Sequence, residues 1–437
     1  APGRFAGSAG CGEVVDVMRT CASHILALRA GAALQPGARR YTRAWIRDAT
    51  VMAAALLRMG RVGEVQSFID WYAGFLRADG YVPCCVDAQG PDWTVEHDSH
   101  GQWLSLLTDH AALAADDACL HRHWPSIERA AQLIEQLLDA SGLLPPSISH
   151  EGYAAQPVHA YWDDFWAIRG LQDAARAAQR LGRHPQAHRW TLLAGRIAAA
   201  TSASIAATCA RAGIDYWPGS RELADFDPTA TASAVVLLDG SALLDVAALQ
   251  RTYDRYMNDW RRRRSGQLDW VSYTPYEIRN IGALVRLGRR ADAIELLEFF
   301  MAGRRPLRWN QWPEIAWRDV QAPAHVGDVP HGWVAAEFVL AARSLFLYER
   351  DADRCLVIAA GLPPAWLTGE GVRVTDAPTA YGPVSYRLQH DGRRLSFSGT
   401  FPAKVVRVEL HSPLPVGTPV DISAAGTVHI CYPRSAA

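Results

Sequence analysis

The chain has 437 residues, 49% hydrophobic content and a formal net charge of -1, so it is long enough to bury a large core. Its near-neutral charge, with no long basic run beyond the arginines at 261–264, gives no indication of a nucleic-acid or anionic-membrane partner. No apolar run approaches the roughly 18 residues that span a bilayer. The chain begins Ala-Pro-Gly-Arg, with neither a signal peptide nor an initiator methionine, which leaves its localisation open.

Apolar residues spaced three and four apart predict twelve helices before about residue 350. We place them at 11–30, 48–60, 62–78, 98–116, 122–140, 164–182, 186–208, 228–239, 243–260, 275–287, 290–303 and 331–349. Short glycine-containing loops follow the second, sixth and tenth helices, which indicates tight antiparallel pairs. Long loops rich in Trp, Tyr, Arg, His and acidic residues follow the odd-numbered helices.

This alternation is typical of an (α/α)6 barrel, in which all the long loops meet at one end of a closed double ring. An open helical solenoid would also alternate its loops, but the sequence shows no repeat of fixed period. We therefore predict an (α/α)6 barrel over residues 1–350. After it, short β-branched runs separated by Gly, Pro and Asp predict a small antiparallel β domain at 351–437.

Two adjacent carboxylates, Asp163 and Asp164, lie between Trp162 and Trp166 where the sixth predicted helix begins. Indole walls exclude water and raise a carboxyl pKa, and a neighbouring carboxylate separates the two titrations. One member of such a pair can therefore stay protonated near neutral pH. The alternative is that both aspartates only stabilise the start of the helix.

A third carboxylate, Glu314, lies in the aromatic loop before the last predicted helix, two residues after Trp312. Hydrolysis of a glycosidic bond needs a protonated carboxyl for the leaving oxygen and a second carboxylate that activates water or attacks. Glu314 could instead be a surface salt-bridge residue, but it falls on the same predicted face as Asp163. The sixteen tryptophans also suit a carbohydrate site, because indoles stack on sugar rings.

The sequence Trp45-Ile-Arg47-Asp48 before the second helix resembles the Trp-x-Arg-Asp signature of glycoside hydrolase family 15, the glucoamylase-like enzymes. Trp162-Asp163-Asp164 is similar to that family's Trp-Glu-Glu, and Glu314 to its general base in placement. The resemblance implies that Asp163 is the general acid, Asp164 a substrate-binding carboxylate and Glu314 the base. It also implies that Arg47 and Asp48 hold the terminal sugar. An aspartate acid looks more like trehalases and family 63 α-glucosidases, which are also (α/α)6 enzymes.

Other residues on the same predicted face are candidates for binding sugar. Those at 93–100 could instead cap the fourth helix, and their two acids and two histidines also suggest a metal, but nothing elsewhere completes a ligand set. We therefore predict no metal and no cofactor. The further substrate-binding candidates are Tyr41, Trp45, Trp93, Glu96, Asp98, Trp162, Tyr276, Glu277, Trp312 and His331.

Together these features predict an exo-acting glycoside hydrolase whose partner is a glucoside oligosaccharide or polysaccharide, and the resemblance implies an inverting mechanism. A glycoside phosphorylase on the same fold and a non-catalytic carbohydrate-binding protein are the alternatives. A polysaccharide lyase, with Tyr161, Tyr276 or His159 as its base, fits the paired carboxylates less well. The oligomeric state does not follow from the sequence.

Overall fold

The structure is a computed structural model that describes residues 3–148, 156–321, 325–416, 418, 420–424 and 428–431. Within these ranges the chain forms twelve α-helices, as predicted. They are α1 Ala9–Ala27, α2 Ile46–Arg58, α3 Val62–Tyr72, α4 Asp98–Ala114, α5 Ala118–Leu137, α6 Tyr161–Arg180, α7 His184–Ala212, α8 Pro228–Leu237, α9 Val246–Ser265, α10 Arg279–Arg286, α11 Arg290–Ala302 and α12 Gly332–Phe346.

Most helix ends lie within a few residues of their predicted positions. Gly60, Gly182 and Gly288 follow α2, α6 and α10 with φ values of 77°, 69° and 75°, a region in which a side chain would be strained. The predicted tenth helix is shorter than expected, because Pro275–Ile278 forms a 3-10 turn and α10 begins only after it.

The even-numbered helices form a ring around a common interior. Each contacts two others, in the order α2, α4, α6, α8, α10, α12 and back to α2. The odd-numbered helices pack against this ring, for example α1 against α12 and α7 against α6. Contrary to the expectation from the sequence, one helix of the described residues, α7, is long and apolar enough to cross a membrane, a criterion that core helices of soluble proteins meet as well. Where α4 crosses α6, a Cβ on Gly101 would lie 2.0 Å from the Trp166 carbonyl oxygen, so this approach requires glycine.

Fourteen strands accompany the helices in the described residues, most of them after α12. They are β1 Arg4–Ala6, β2 Ala44–Trp45, β3 Cys85–Asp87, β4 Gly90–Asp92, β5 Ser272–Tyr273, β6 Ala316–Trp317, β7 Leu347–Arg350, β8 Cys355–Ile358, β9 Val372–Ala377, β10 Val384–His390, β11 Leu395–Thr400, β12 Arg407–His411, β13 Val420–Ala424 and β14 Val428–Cys431. The two larger sheets have the orders β1-β9-β10-β11-β13 and β14-β12-β8-β7.

These two sheets are mixed, which corrects the predicted antiparallel arrangement. β13 runs parallel to β11, and β12 runs parallel to both β8 and β14. Parallel neighbours need a crossover connection. Here the chain passes through the other sheet between each parallel pair, so the intervening strands supply the crossover. The N-terminal strand β1 also joins this region by pairing with β9, although its three residues are too few to show a periodic pattern.

Candidate functional site

Side chains from the first turns of the even-numbered helices meet at one end of the ring. Asp98 at the start of α4 accepts hydrogen bonds from Arg47 Nε of α2 at 2.7 Å and from the indole nitrogen of Trp162 of α6 at 2.8 Å. The guanidinium of Arg279, where α10 begins, lies 5.2 Å from the ring centre of Trp162 and 5.4 Å from that of Trp333 on α12. These contacts place the N-terminal ends of five even-numbered helices together.

Arg47 is the cation of this cluster. Pairing of β2 with β3 fixes the chain immediately before α2, and the Arg47 guanidinium then reaches both Asp98 and, at 2.8 Å, Glu96 Oε2. Burial alone would lower the pKa of Arg47, but Asp98 and Glu96 outweigh that effect and raise it. Asp98 also accepts from Gln102 Nε2 at 2.8 Å and is fully buried. The arginine is therefore held rigidly, with its charge balanced by two carboxylates.

Asp48 follows Arg47 in the first turn of α2 and is also buried. Burial raises the pKa of its carboxyl well above the ordinary value, Arg47 partly offsets this effect, and the Glu314 carboxylate adds to it. The electrostatic effect of Glu314 on Asp48 shows that the loop before α12 lies close to the start of α2. Two motifs that are far apart in the sequence therefore lie at one site.

Glu314 is held between two tyrosines, with its side chain 21% exposed. The Tyr41 hydroxyl donates to Glu314 Oε2, and the Tyr276 hydroxyl donates to Oε1 at 3.3 Å. His325 Nε2 lies 3.1 Å from the Tyr41 hydroxyl and 3.8 Å from Glu314 Oε2. The Glu314 amide donates to the Val326 carbonyl at 3.1 Å, which fixes the backbone. Both carboxylate oxygens are thus acceptors in an oriented group.

Aromatic rings pack against the two tyrosines that hold this carboxylate. The His331 ring lies 5.5 Å from that of Tyr41 and 5.7 Å from that of Tyr276, and Trp333 packs on Tyr276 at 4.3 Å. The Trp45 ring also lies 5.7 Å from that of Tyr41, in an edge-to-face arrangement. Burial lowers the pKa of His331 to about 3, so its imidazole is neutral at physiological pH.

Asp163 and Asp164, in the first turn of α6, have different surroundings. Asp163 Oδ2 accepts from the Ser147 hydroxyl at 2.6 Å, whereas Asp164 Oδ1 accepts from the Leu144 amide at 2.9 Å. Both residues are 1% exposed. Burial raises the pKa of Asp164 to about 8, which the Leu144 hydrogen bond only partly offsets. Asp164 therefore keeps its proton near neutral pH.

Three other predicted residues have their contacts elsewhere. Glu277 accepts from Arg263 Nη1 at 2.7 Å and from the Tyr256 hydroxyl at 2.8 Å. The Trp312 indole donates to the Phe300 carbonyl at 2.9 Å inside the core. Trp93 is 39% exposed, and its ring lies 6.0 Å from that of Tyr81. The other predicted residues fall into two groups. Around Glu314, direct contacts or contacts through a tyrosine join Tyr41, Trp45, Tyr276 and His331. Around Arg47, direct contacts or contacts through Asp98 join Glu96, Asp98 and Trp162.

His325 and a buried ion pair inside the ring were not predicted from the sequence. Arg279 Nε and Nη2 donate to Glu337 Oε1 at 2.9 and 2.7 Å, and the Trp333 indole donates to the same oxygen at 2.8 Å. Arg279 also donates to the Thr229 carbonyl of α8 at 3.3 Å. The sequence did contain a signal for this ion pair, because both residues are charged and each lies in the first two turns of an even-numbered helix.

In the described residues, side chains of the types that bind metal ions lie close together at three places. One group is Cys84, Cys85 and Asp92, near β3 and β4, and the other two share Glu409 in the C-terminal sheets. Glu409 already accepts from Arg350 at 2.9 Å, so a guanidinium occupies the position opposite its charge. None of these groups of described residues contains Glu314 or Asp163.

No protein-family model matches the sequence, and a search of curated proteins gives no match. Solved structures do resemble it. The GH78 family rhamnosidase of Bacillus sp. GL1 superposes with a TM-score of 0.64 at 15% identity, over 98% of this chain and 44% of that one. The fold is that of helical glycosidases. This chain therefore spans less than half the length of that rhamnosidase.

Two further structures show the same fold with a sugar bound. A glutamate-to-alanine variant of a glycosidase in complex with glucose has a TM-score of 0.60 at 17% identity, over 78% of this chain and 99% of that one. The rhamnosidase from Klebsiella oxytoca with rhamnose bound has a TM-score of 0.57 at 17% identity, over 79% of this chain and 66% of that one. At these identities the similarity is one of fold.

Proposed function

We propose that this chain is a glycoside hydrolase whose site lies at the loop end of the helical ring. In this proposal residues 1–350 form an (α/α)6 catalytic barrel and residues 351–437 a supporting β domain. The main observation behind this proposal is the setting of Glu314. Its partly exposed carboxylate is oriented by two phenol hydroxyls and lies near Asp48 and Arg47. The motif resemblance to family 15 and the shared glycosidase fold both support the assignment.

The proposed reaction is a single displacement. Asp163 gives its proton to the leaving glycosidic oxygen, and Glu314 removes a proton from the water that attacks the anomeric carbon on the opposite face. The product sugar then has inverted configuration, which requires about 6.5–9.5 Å between the two carboxyls. Tyr41 and Tyr276 would hold Glu314 in position for that water.

The substrate we propose is a glucoside oligosaccharide or polysaccharide that is cleaved from its end. Asp48 and the indole of Trp45 would contact the terminal sugar, while the paired charge of Arg47 would hold Asp48 and Glu96 in place. A rhamnoside is the second candidate, because two of the fold relatives are rhamnosidases. No cofactor or metal takes part in this reaction.

The test is a product screen by mass spectrometry on a panel of α- and β-glucosides and α-L-rhamnosides, with and without phosphate. Glu314→Gln and Asp163→Asn should each lower the rate by about 10²–10⁴-fold, the usual contribution of a general base or acid. Glu298→Gln, at an exposed position of α11, is the matched control and should keep full activity. Circular dichroism would verify that each variant folds.

The outcomes separate the alternatives. Free sugar of inverted configuration, lost in both site variants, would support the proposal. Sugar phosphate that forms only when phosphate is added would assign the protein to the phosphorylases. Full activity in Glu314→Gln would remove Glu314 from the mechanism, and sugar binding without turnover across the panel would favour a non-catalytic binding protein.

A further inference from the structure

We propose that a groove next to the Glu314 segment, here called the arginine groove, binds an acidic saccharide chain through carboxylate groups. The groove has a volume of about 730 Å³. It is lined by the start of the loop before α12, the end of α9 and the 3-10 turn before α10. The residues that carry the argument are Arg264, Trp270, Tyr273, Arg305, Trp317 and Arg318.

The arginine groove adjoins the proposed catalytic base directly. Pro313 and Ile315, on either side of Glu314, both line it. The next residues form β6, which pairs with β5 and brings Trp317 opposite Ser272. A ligand in the groove would therefore lie against the same stretch of backbone that presents Glu314 on its other side.

Aromatic rings form much of its wall. Trp270 and Tyr273 lie 5.7 Å apart in an edge-to-face arrangement. The Trp317 indole is fixed by a hydrogen bond of 2.6 Å to the His325 carbonyl. Rings of this kind, partly exposed and held in place, stack on the apolar faces of sugar rings at little entropic cost. This wall suits a chain of sugar rings.

The charge of the groove is of one sign. Four arginines line it, and none of the described lining residues is acidic, but Arg263 is paired with Glu277 outside the groove. Arg264 and Arg318 keep side-chain exposures of 54% and 55% although each also contacts an acidic residue outside the groove. The Arg305 side chain is exposed and forms no hydrogen bond or ion pair with another described residue. A guanidinium fork binds a carboxylate with two parallel hydrogen bonds, so uronic acid units complement this surface.

The choice of a saccharide rests on the proposed function of the adjoining site, whereas the excess of arginine alone would also suit a single-stranded nucleic acid. Binding is therefore measured without turnover, on the full chain carrying Glu314→Gln. The probes are oligogalacturonides, sulfated heparin-derived oligosaccharides, neutral cello-oligosaccharides of equal length and oligo(dT). Dissociation constants come from isothermal titration calorimetry at low and at moderate salt.

Two groove variants and two matched controls locate the binding site. Arg305→Gln and Trp270→Ala should each weaken oligogalacturonide binding by about 3- to 10-fold. Arg308→Gln and Trp309→Ala, in the neighbouring exposed turn outside the groove, should change it by less than about 2-fold. Added salt should weaken binding of the acidic probe, because exposed charge pairs are screened.

Oligogalacturonide binding that is weakened by both groove variants and exceeds binding of the neutral and sulfated probes would support the proposal. Equal binding of neutral and acidic oligosaccharides, or equal effects of groove and control variants, would overturn it. Tighter binding of the sulfated probe or of oligo(dT) would overturn the carboxylate assignment. Absence of hydrolysis on any substrate would contradict the proposed function but would leave these binding results unaffected.

Discussion

Replacing Asp164 by asparagine tests the electrostatics at the start of α6. In the folded chain the pKa of Asp164 is raised to about 8, mainly by burial, whereas an unfolded aspartate titrates at 3.8. Between these values the folded state binds one proton more than the unfolded state. The free energy of unfolding therefore falls as pH rises, by at most about 1.4 kcal/mol per pH unit, and the decline ends above the folded pKa. From pH 5 to 8 the loss reaches about 4 kcal/mol.

Asparagine is neutral at every pH and can still accept from the Leu144 amide, so Asp164→Asn should remove this slope. The measurement is urea unfolding of both proteins at pH 5, 6, 7 and 8. Asp16→Asn, on the exposed face of α1, is the control and should follow the wild type. Parallel curves for wild type and Asp164→Asn would refute a protonated Asp164. Loss of hydrolysis in Asp164→Asn, with activity kept in Asp163→Asn, would move the acid assignment to Asp164.

Two other substitutions follow from the contacts. Tyr41→Phe removes the hydroxyl that donates to Glu314 and should lower kcat/KM by about 10- to 100-fold, the usual value of a hydrogen bond to a charged group. An unchanged kcat/KM would contradict this role. Gly101→Ala should cost more than about 3 kcal/mol of stability in urea unfolding, because its Cβ would overlap the Trp166 carbonyl. Gly195→Ala, with open space in α7, should instead add about 0.5–1 kcal/mol, and a similar loss in both would refute the packing argument.

The helices could be predicted from the sequence because their signals are local. Apolar spacing and the glycines at 60, 182 and 288 specify helix and turn within a few residues. Strand direction could not be predicted in the same way. β11 and β13 look like members of one meander in sequence, and they become parallel only because β12 joins the other sheet.

The sequence predicted which loops contribute residues to the candidate site, but it did not predict the hydrogen-bond partners of those residues. The motifs around Arg47, Asp163 and Glu314 are visible because unusual residues cluster where helices begin. Their environments depend on distant partners. Asp163 and Asp164 are neighbours in sequence, yet one accepts from a hydroxyl and the other from a backbone amide of a preceding loop. Sequence alone therefore could not say which group each of the two carboxylates accepts from.

The bond between Tyr41 and Glu314 joins residues 273 positions apart, and it depends on how the first and last even-numbered helices meet. Tyr41 precedes α2, Glu314 precedes α12, and these two helices are in contact. A chain that formed the same helices without this contact would still bring Arg47 to Asp98, since α2 and α4 pack together independently. It would leave Glu314 without Tyr41 and far from Asp48. The contact that closes the ring is therefore also the one that assembles the proposed base.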